Sequence, residues 1–310
     1  MNILTVGFGN MGCRHTQSML NSFPVASFWV LEPSEEIFET NCGRIGTMPE
    51  RLHRFTSLNE LTENIDFAVV ATSAFPRFEI VKSLLEKGVK KLLVEKVVFQ
   101  SETQFKEIEA LAQQQGAHIY CNFVNRYFPN YQSIKSRMTD SPVTMIVLGG
   151  DFGLGCNALH YIDLFEYLTG NSSRLVSSHM VENEKGNHRG NIYREVLGQL
   201  MWETARGDRL VVLADEQRQG GNEIVIEQDG KTDLLNEETL KHYHYSPGQV
   251  NSSEFSLLYT SSLTGIILKD ILEGKCILPL VEEARSCHVQ FFHAINPIFG
   301  LLENDLCPIT

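Results

Sequence analysis

Asn2-Ile3-Leu4-Thr5-Val6-Gly7-Phe8-Gly9-Asn10-Met11-Gly12 places a short apolar run directly before a Gly-x-Gly-x-x-Gly motif. Residues 13–20, which follow, have a helix-like composition. A strand, this motif and a helix in that order are the fingerprint of a dinucleotide-binding βα unit. We therefore predict that the stretch binds the pyrophosphate of a dinucleotide. The alternative is a glycine turn with a purely structural purpose.

The glycines of the motif have separate physical reasons. Gly7 allows the tight turn, Gly9 lets the main chain approach the pyrophosphate, and Gly12 lets the helix pack closely on the strand. Free N–H groups at the helix start, where Asn10 and Met11 lie, are expected to meet the anion. All five residues are predicted to contact the cofactor.

Composition excludes several classes of protein. The 310 residues are 43% apolar and 21% charged, as in an ordinary soluble globular protein. A net charge of −12 without a run of Lys and Arg argues against a nucleic-acid surface. No uncharged run has the ~18–20 residues of a membrane helix. Seven scattered cysteines without C-x-x-C spacing, and no recognisable leader, predict a reduced, cytoplasmic environment.

The pattern of apolar residues changes once along the chain. Strand-like runs at 25–31, 67–71, 92–94 and 118–123 alternate with helical patterns at 35–42, 78–87 and 102–115. This alternation predicts a doubly wound parallel sheet, a Rossmann domain, over residues 1–124.

Residues 125–310 have a different pattern, which predicts an α/β domain with an open, mostly antiparallel sheet. Its last helix can pack back on the first domain. The predicted strands are 143–148, 175–182, 193–204, 209–214, 222–228 and 231–235, and the predicted helices are 158–168, 255–273 and 281–295.

Polar residues end two of the predicted parallel strands. Glu32 lies twenty residues after Gly12, where a carboxylate can hold the ribose hydroxyls of adenosine. It also repels a 2′-phosphate, which favours NAD over NADP, although Ser34 can soften that preference. An ordinary strand-end acid is the alternative. Ala71, Thr72 and Ser73 end another strand beside the expected cofactor.

Six segments along the chain form a recognisable series: residues 6–12, Ala71-Thr72-Ser73, Leu93-Val94-Glu95-Lys96, Asn125-Arg126-Tyr127-Phe128-Pro129, 155–164 and 278–284. In this order and spacing they resemble the Gfo/Idh/MocA oxidoreductase family over essentially the whole chain. The resemblance implies nicotinamide-dependent chemistry on a sugar, amino sugar or nucleotide sugar. It also implies an open antiparallel sheet in the second domain and a homo-oligomer packed through such sheets, a homodimer or homotetramer.

The sequence departs from the family pattern at three positions. Val97 replaces the proline of the Glu-Lys-Pro motif, which removes a rigid peptide that can be cis. Cys156 stands where many members carry an aspartate, four residues before the motif histidine. Arg77 is expected to replace the family's usual histidine after Ala71-Thr72.

Lys96 is the first candidate for chemistry. It follows the carboxyl end of a predicted parallel strand, where such sheets bind ligands. Its ammonium can polarise the reacting oxygen or act as an acid–base, and it is also expected to contact cofactor and substrate. The alternative is a solvated strand-end lysine. Glu95 is expected to brace this loop at the cofactor rather than to react.

His160 and Asp163 are three residues apart, on one face of a helix. We expect His160 to donate or accept the substrate proton, with Asp163 orienting its imidazole or capping the helix. A satisfied core histidine is the alternative. Arg126 is expected to hold cofactor or substrate, with a linker salt bridge as the alternative. The substrate-binding positions carried over from the resemblance are Asn125, Cys156, Asn157 and His160.

Two further functions remain open. One is an NAD-recycling sugar hydrolase or lyase, and the other is a non-catalytic NAD-dependent sensor or partner-binding protein. A metal centre is not expected, because the pairs His160/Asp163 and His242/His244 lack a third ligand at characteristic spacing. The second pair is expected to alternate across a strand or loop.

Overall fold

The structure is a computed structural model that describes residues 1–187, 190 and 192–310. Contacts divide the chain into two compact units. The first comprises Met1–Phe99, Thr103–Asn122 and Leu258–Glu283. The second comprises Gln100–Glu102, Phe123–Leu257 and Ala284–Thr310. The first unit therefore includes a segment from late in the chain.

The first unit contains a six-stranded sheet in which every pairing is parallel. Its strands are β1 Asn2–Val6, β2 Ser27–Leu31, β3 Leu52–Phe55, β4 Phe67–Val70, β5 Lys91–Val94 and β6 His118–Cys121, in the order β3-β2-β1-β4-β5-β6. The helices that connect them are α1 Asn10–Ser22, α2 Glu35–Ile45, α3 Ala74–Glu86 and α4 Glu102–Gln115.

This strand order places a ligand site at the middle of the sheet. All four residues of β4 are buried, as expected for a strand covered on both faces. Val6 at the end of β1 pairs with Leu31 on one side and Val70 on the other. The order of the strands reverses between β1 and β4, and such a reversal opens a crevice outside the carboxyl ends of the strands.

The second unit is built on an eight-stranded sheet. Its strands are β7 Thr144–Gly149, β8 Ser173–Glu182, β9 Val196–Thr204, β10 Arg209–Ala214, β11 Glu223–Gln228, β12 Lys231–Asn236, β13 Lys241–Ser246 and β14 Gln249–Glu254, in the order β14-β13-β12-β11-β7-β10-β9-β8. Only β7 and β10 pair in parallel among these strands. The remaining α-helices of the described residues are α5 Pro129–Lys135, α6 Leu154–Thr169, α7 Thr260–Glu273 and α8 Val281–Ile295. The predicted fold class, a Rossmann domain with a mostly antiparallel second sheet, is confirmed.

The helix α7 belongs to the first unit and packs on α1. The contact is close at Gly265, whose N–H donates to Ser18 Oγ at 2.9 Å. A Cβ at Gly265 would lie 1.9 Å from Ser22 Oγ. Only glycine therefore allows the two helices to approach this closely.

Some predicted elements differ from the structure. Residues 255–259 were predicted to be helical, but α7 begins at Thr260. The N–H groups of Phe255 and Ser256 bind Leu240 O and Asn130 Oδ1 instead, so tertiary hydrogen bonds hold this segment extended. The strand β3 and the helix α5 were not predicted, because both are short and β3 is polar at its centre. The residues of the His242/His244 pair lie on a strand, β13.

Candidate functional site

The glycine loop after β1 is fixed by its main chain. Gly7 has φ +82°, a main-chain conformation that residues with a side chain rarely adopt. Its N–H donates to Leu31 O at 3.0 Å. A Cβ at Gly7 would lie 3.0 Å from Thr72 Cγ2, and a Cβ at Gly12 would lie 1.8 Å from Gly7 O. Gly7 and Gly12 are therefore required for the turn and for the approach of α1.

Gly9 differs from its two neighbours in the motif. A Cβ at this position would meet no atom within 4 Å among the described residues, so the loop itself does not require glycine there. Gly9 is the N-cap of α1, so no side chain at this residue caps the helix, and no acidic residue lies in the first turn. A helix start of this kind suits a bound anion. Asn10 Oδ1 accepts a hydrogen bond from Arg44, and Met11 is 38% exposed.

Glu32 lies where the sequence predicts it, at the end of β2 beside the loop. Its carboxylate accepts hydrogen bonds from the N–H groups of Phe8 and Ser34, both at 3.0 Å. The structure also brings an arginine to this strand end, which the sequence did not indicate. Arg54 on β3 donates to Glu32 O at 2.9 Å and to Pro33 O at 2.8 Å.

The end of β4 lies directly beside the glycine loop. Ala71 N–H donates to Val6 O at 2.9 Å, and Ser73 is the N-cap of α3. The hydroxyl of Thr72 is buried and has no hydrogen-bond partner within the described part of the chain. Thr72 lies against Gly7 of the glycine loop, and a buried hydroxyl without a partner fits a polar cofactor at this strand end.

Lys96 follows β5 and is buried, with 6% of its surface exposed. The residues on either side are both anchored. Glu95 Oε1 accepts from His15 Nε2 at 2.9 Å and from Asn122 Nδ2 at 2.6 Å. On the other side, the buried guanidinium of Arg77 donates to Val97 O and to Thr72 O. The Lys96–Val97 peptide bond is cis although residue 97 is not a proline.

The environment of Glu95 keeps its carboxylate ionised. Burial by itself raises the pKa of Glu95, but the hydrogen bond and charge of His15, the Asn122 amide and the Lys96 charge together lower that pKa to about 2. A carboxylate held by donors on two sides is a brace for the loop. This position agrees with the bracing part expected of Glu95.

The second unit carries the other candidates for proton transfer. His160 on α6 is half-buried, with its ring edge-on to Phe123 at 5.7 Å between centroids. Asp163, one turn later, receives two hydrogen bonds from Arg126, at 2.9 and 2.7 Å. This pair is the salt bridge that the sequence left as an alternative for Arg126. Asn125 is 9% exposed and lies in the turn Val124–Tyr127.

A carboxylate that the sequence did not identify caps α6. Glu195, 4% exposed, accepts hydrogen bonds from Gly155 N, from Cys156 N at 3.3 Å and from Val196 N at 3.0 Å. An acid is therefore present beside Cys156 although the family's aspartate is missing. A glutamate 39 residues later in the chain gives no sequence signal of this contact.

Cys156 and Asn157 line a cavity of about 380 Å³ within the second unit. Asn187 Nδ2 approaches Cys156 Sγ at 3.1 Å, and Asn157 Nδ2 donates to Phe152 O at 2.6 Å. The other polar residues that line the cavity are Asp151, Lys185 and Glu195. Amide, ammonium and carboxylate groups therefore surround this space, which suits a ligand rich in hydroxyl groups.

Two kinds of feature are absent from the described residues. They contain no group of three or more His, Cys, Asp or Glu side chains placed to hold a metal ion. None of the helices they form is both long and apolar enough to cross a membrane.

The strand order 3-2-1-4-5-6, the glycine loop and the strand-end carboxylate define a dinucleotide-binding α/β protein. Residues 1–123 match the model of the Gfo/Idh/MocA oxidoreductase family, NAD-binding Rossmann fold. Residues 1–123 thus form the NAD-binding domain of this oxidoreductase family, and over these residues the resemblance inferred from the motifs is confirmed.

Solved structures with a similar fold cover nearly the whole chain. The dehydrogenase MviM from Clostridium difficile is 16% identical, with a TM-score of 0.76 over 96% of this chain and 99% of that one. The UDP-N-acetylglucosamine 3-dehydrogenase GnnA from Acidithiobacillus ferrooxidans is 13% identical, with a TM-score of 0.74 over 98% of each chain.

A biliverdin reductase from Synechocystis, in complex with biliverdin and NADP⁺, is 13% identical, with a TM-score of 0.72 over 93% of this chain and 95% of that one. At these identities the likeness shows the fold alone, and the compounds named for the last two structures, UDP-N-acetylglucosamine and biliverdin, belong to different classes. A search of the curated proteins finds no match.

Proposed function

We propose that the protein is an NAD(P)-dependent oxidoreductase that transfers a hydride to or from a sugar, amino sugar or nucleotide sugar. The observation that carries this proposal is the position of Lys96. This cation is buried at the carboxyl edge of the NAD-binding sheet. Its neighbours Glu95 and Val97 are each held by side chains from elsewhere in the same unit. A lysine at this edge of a parallel sheet, where such sheets bind ligands, is suited to act on a bound ligand.

The residues of the first unit divide the binding of NAD between them. The start of α1 with Gly9, Asn10 and Met11 would hold the pyrophosphate, and Glu32 would hold the adenosine ribose. The residues after β4, Ala71-Thr72-Ser73, would bind on the other side of the crevice. Bound NAD supplies the hydride acceptor or donor.

We assign the chemistry on the reacting oxygen to Lys96 and His160. The Lys96 ammonium would stabilise negative charge on the alkoxide or carbonyl oxygen. His160 would take or give the hydroxyl proton near neutral pH. Asp163, which accepts hydrogen bonds from Nε and Nη2 of Arg126, would fix the helical turn that carries His160.

The sugar class is supported by the cavity beside Cys156 and Asn157. Amides and carboxylates can bind several hydroxyl groups at once, as sugars require. A protein with the same fold, the UDP-N-acetylglucosamine 3-dehydrogenase, acts on a nucleotide sugar, so the fold accommodates substrates of this class. A tetrapyrrole, as in the biliverdin reductase, would need a larger and more apolar surface than this cavity offers.

Substitution of Lys96 by methionine tests the proposal. Lys96→Met keeps much of the side-chain length and its apolar stem but removes the charge. Loss of a positioned acid–base group lowers turnover ~10²–10⁴-fold, about 3–5 kcal/mol of transition-state stabilisation. NAD affinity should change far less, since the glycine loop and Glu32 would hold the cofactor. His160→Asn should have a milder effect on turnover.

The measurement is turnover across a panel of sugars and nucleotide sugars, with NAD titrated against the same proteins. Native turnover rates in Lys96→Met would remove this residue from the mechanism. Native protein that binds NAD tightly but shows no turnover with any compound of the panel would instead favour the sensor.

We also propose a homodimer or homotetramer formed through the outer face of the second sheet. Half-buried apolar residues alternate there with the buried ones that face the core, among them Ile146, Leu148, Val211, Leu213 and Leu234. A continuous apolar face of this kind is typical of an interface. Light scattering on native protein and on Leu213→Lys tests the assembly, and a native monomer would refute it. The cytoplasmic location predicted from the sequence likewise stays a proposal.

A further inference from the structure

His15 on α1 is fully buried and holds two distant segments of the first unit together. Its Nε2 lies 2.9 Å from Glu95 Oε1, and its Nδ1 lies 2.8 Å from Thr264 Oγ1 on α7. Thr264 Oγ1 also donates to Thr260 O at 3.1 Å. A chain of buried polar contacts therefore runs from α7 through α1 to the residue that precedes Lys96.

The direction of the contact with Glu95 follows from chemistry. An ionised carboxylate only accepts hydrogen bonds, and the pKa of Glu95 is lowered to about 2. The hydrogen must therefore be on His15 Nε2. A donor to an ionised acceptor makes one of the stronger hydrogen bonds in proteins. Its effect is to fix the Glu95 carboxylate, whose charge also interacts with Lys96.

We propose that His15 is a positioning residue for Lys96, which it holds in place through the Glu95 carboxylate while Thr264 fixes the opposite side of its ring. This inference rests on the part proposed above for Lys96. His15 itself would contact neither cofactor nor substrate. The helix α7 thereby becomes part of the support of the active lysine, although it lies some 170 residues later in the chain.

Two substitutions that introduce a side-chain amide test the two ring nitrogens of His15 one at a time. In His15→Gln, the side-chain nitrogen can occupy the place of Nε2 and still donate to Glu95. In His15→Asn, the nitrogen can occupy only the place of Nδ1, so the link to Glu95 is lost. Thr16→Val is the matched control: it lies next on the same helix and deletes two buried hydrogen bonds, one with Thr5 Oγ1 at 2.8 Å and one to Gly12 O at 2.9 Å. Asn122→Leu removes the second donor to Glu95 without changing α1 or α7.

The experiment has two readouts. The first is competitive acetylation of Lys96 by trace acetic anhydride in the protein without cofactor, read by peptide mass spectrometry with Lys82 as the internal reference. The second is kcat together with the NAD dissociation constant. For His15→Asn we expect acetylation of Lys96 to rise about threefold or more and kcat to fall about tenfold, the equivalent of one charge-assisted hydrogen bond. NAD affinity should stay at the native value.

The pattern across the variants decides the proposal. His15→Gln should retain most of the native kcat and the low acetylation of Lys96. Asn122→Leu should resemble His15→Asn in both quantities, and Thr16→Val should match the native protein. Unchanged acetylation of Lys96 in His15→Asn and Asn122→Leu would overturn the proposal. The proposal would also be overturned if kcat fell equally in His15→Gln and Thr16→Val and this fall followed the melting temperature. If native protein turns over no sugar, the proposed function fails, but the acetylation pattern still decides whether His15 positions Lys96.

Discussion

The loops after β1 and β5 lie at the same edge of one sheet, but they are held in different ways. The glycine loop after β1 depends on its own main chain: the φ of +82° at Gly7 and the contact of Gly12 with Gly7 O define it. The loop that carries Lys96 depends on side chains from other elements. His15 and Asn122 hold Glu95, and Arg77 holds Val97.

This difference separates two kinds of requirement. A loop held by close main-chain packing tolerates no additional atom at particular positions, and its residues are recognisable as a motif. A loop held by side-chain hydrogen bonds depends on charge, so its stability should respond to pH and to single polar substitutions. The three predictions below test this distinction, from the largest expected effect to the smallest.

The largest effect is expected within the glycine loop itself. Gly12→Ala places a Cβ 1.8 Å from Gly7 O, where neither main-chain segment can yield. We expect a loss of at least about 3 kcal/mol of unfolding free energy, the upper range for overpacking. Gly9→Val should fold normally, because the space beside Gly9 is open within the described residues. It should lose NAD binding, because the valine side chain would prevent the pyrophosphate from approaching the main chain. Urea denaturation and NAD titration of both variants measure this contrast.

Equal stability losses in these two variants would contradict the prediction. Native NAD affinity in folded Gly9→Val would show that the pyrophosphate does not approach the main chain at this residue.

The next effect concerns pH and Glu95. Its pKa is about 2 in the folded protein, against about 4.3 in an unfolded chain. A lowered folded pKa contributes stability above the unfolded value, and this stability is lost as pH falls toward 2. The difference corresponds to about 3 kcal/mol at neutral pH. Glu95→Gln should therefore be less stable at pH 7, and its stability should decline less between pH 5 and 2.

Thermal unfolding of native protein and Glu95→Gln across this pH range is the measurement. Glu86→Gln is the control, because the Glu86 side chain is exposed at the end of α3. Parallel pH profiles for native protein and Glu95→Gln would show that the loop after β5 does not depend on this charge.

The smallest effect concerns the choice between NAD and NADP. Glu32 should repel a 2′-phosphate, whereas the guanidinium of Arg54 nearby should attract it. Native protein should therefore prefer NADH. Glu32→Gln should narrow this preference about tenfold, roughly 1.4 kcal/mol, and Arg54→Leu should widen it. Fluorescence titration with both reduced cofactors measures the ratio, and tighter binding of NADPH by native protein would refute the assignment of Glu32.

Local patterns in the sequence determined the architecture and the outline of the site. The alternation of apolar runs predicted the parallel sheet, because strand and helix periodicities are local properties of the chain. The glycine motif and Glu32 were recognisable for the same reason: their spacing is imposed by one βα turn and the next strand. Lys96 followed from its position at the end of an apolar run.

Only the tertiary structure determined what holds these residues. The partners of His15 lie 80 and 249 residues away in the chain, at Glu95 and Thr264. Glu195 caps α6 from 39 residues beyond Cys156, and Arg54 reaches Glu32 from the neighbouring strand. Side-chain hydrogen bonds of this kind have no period and no fixed spacing. They depend on how the strands and helices pack, which local patterns do not encode.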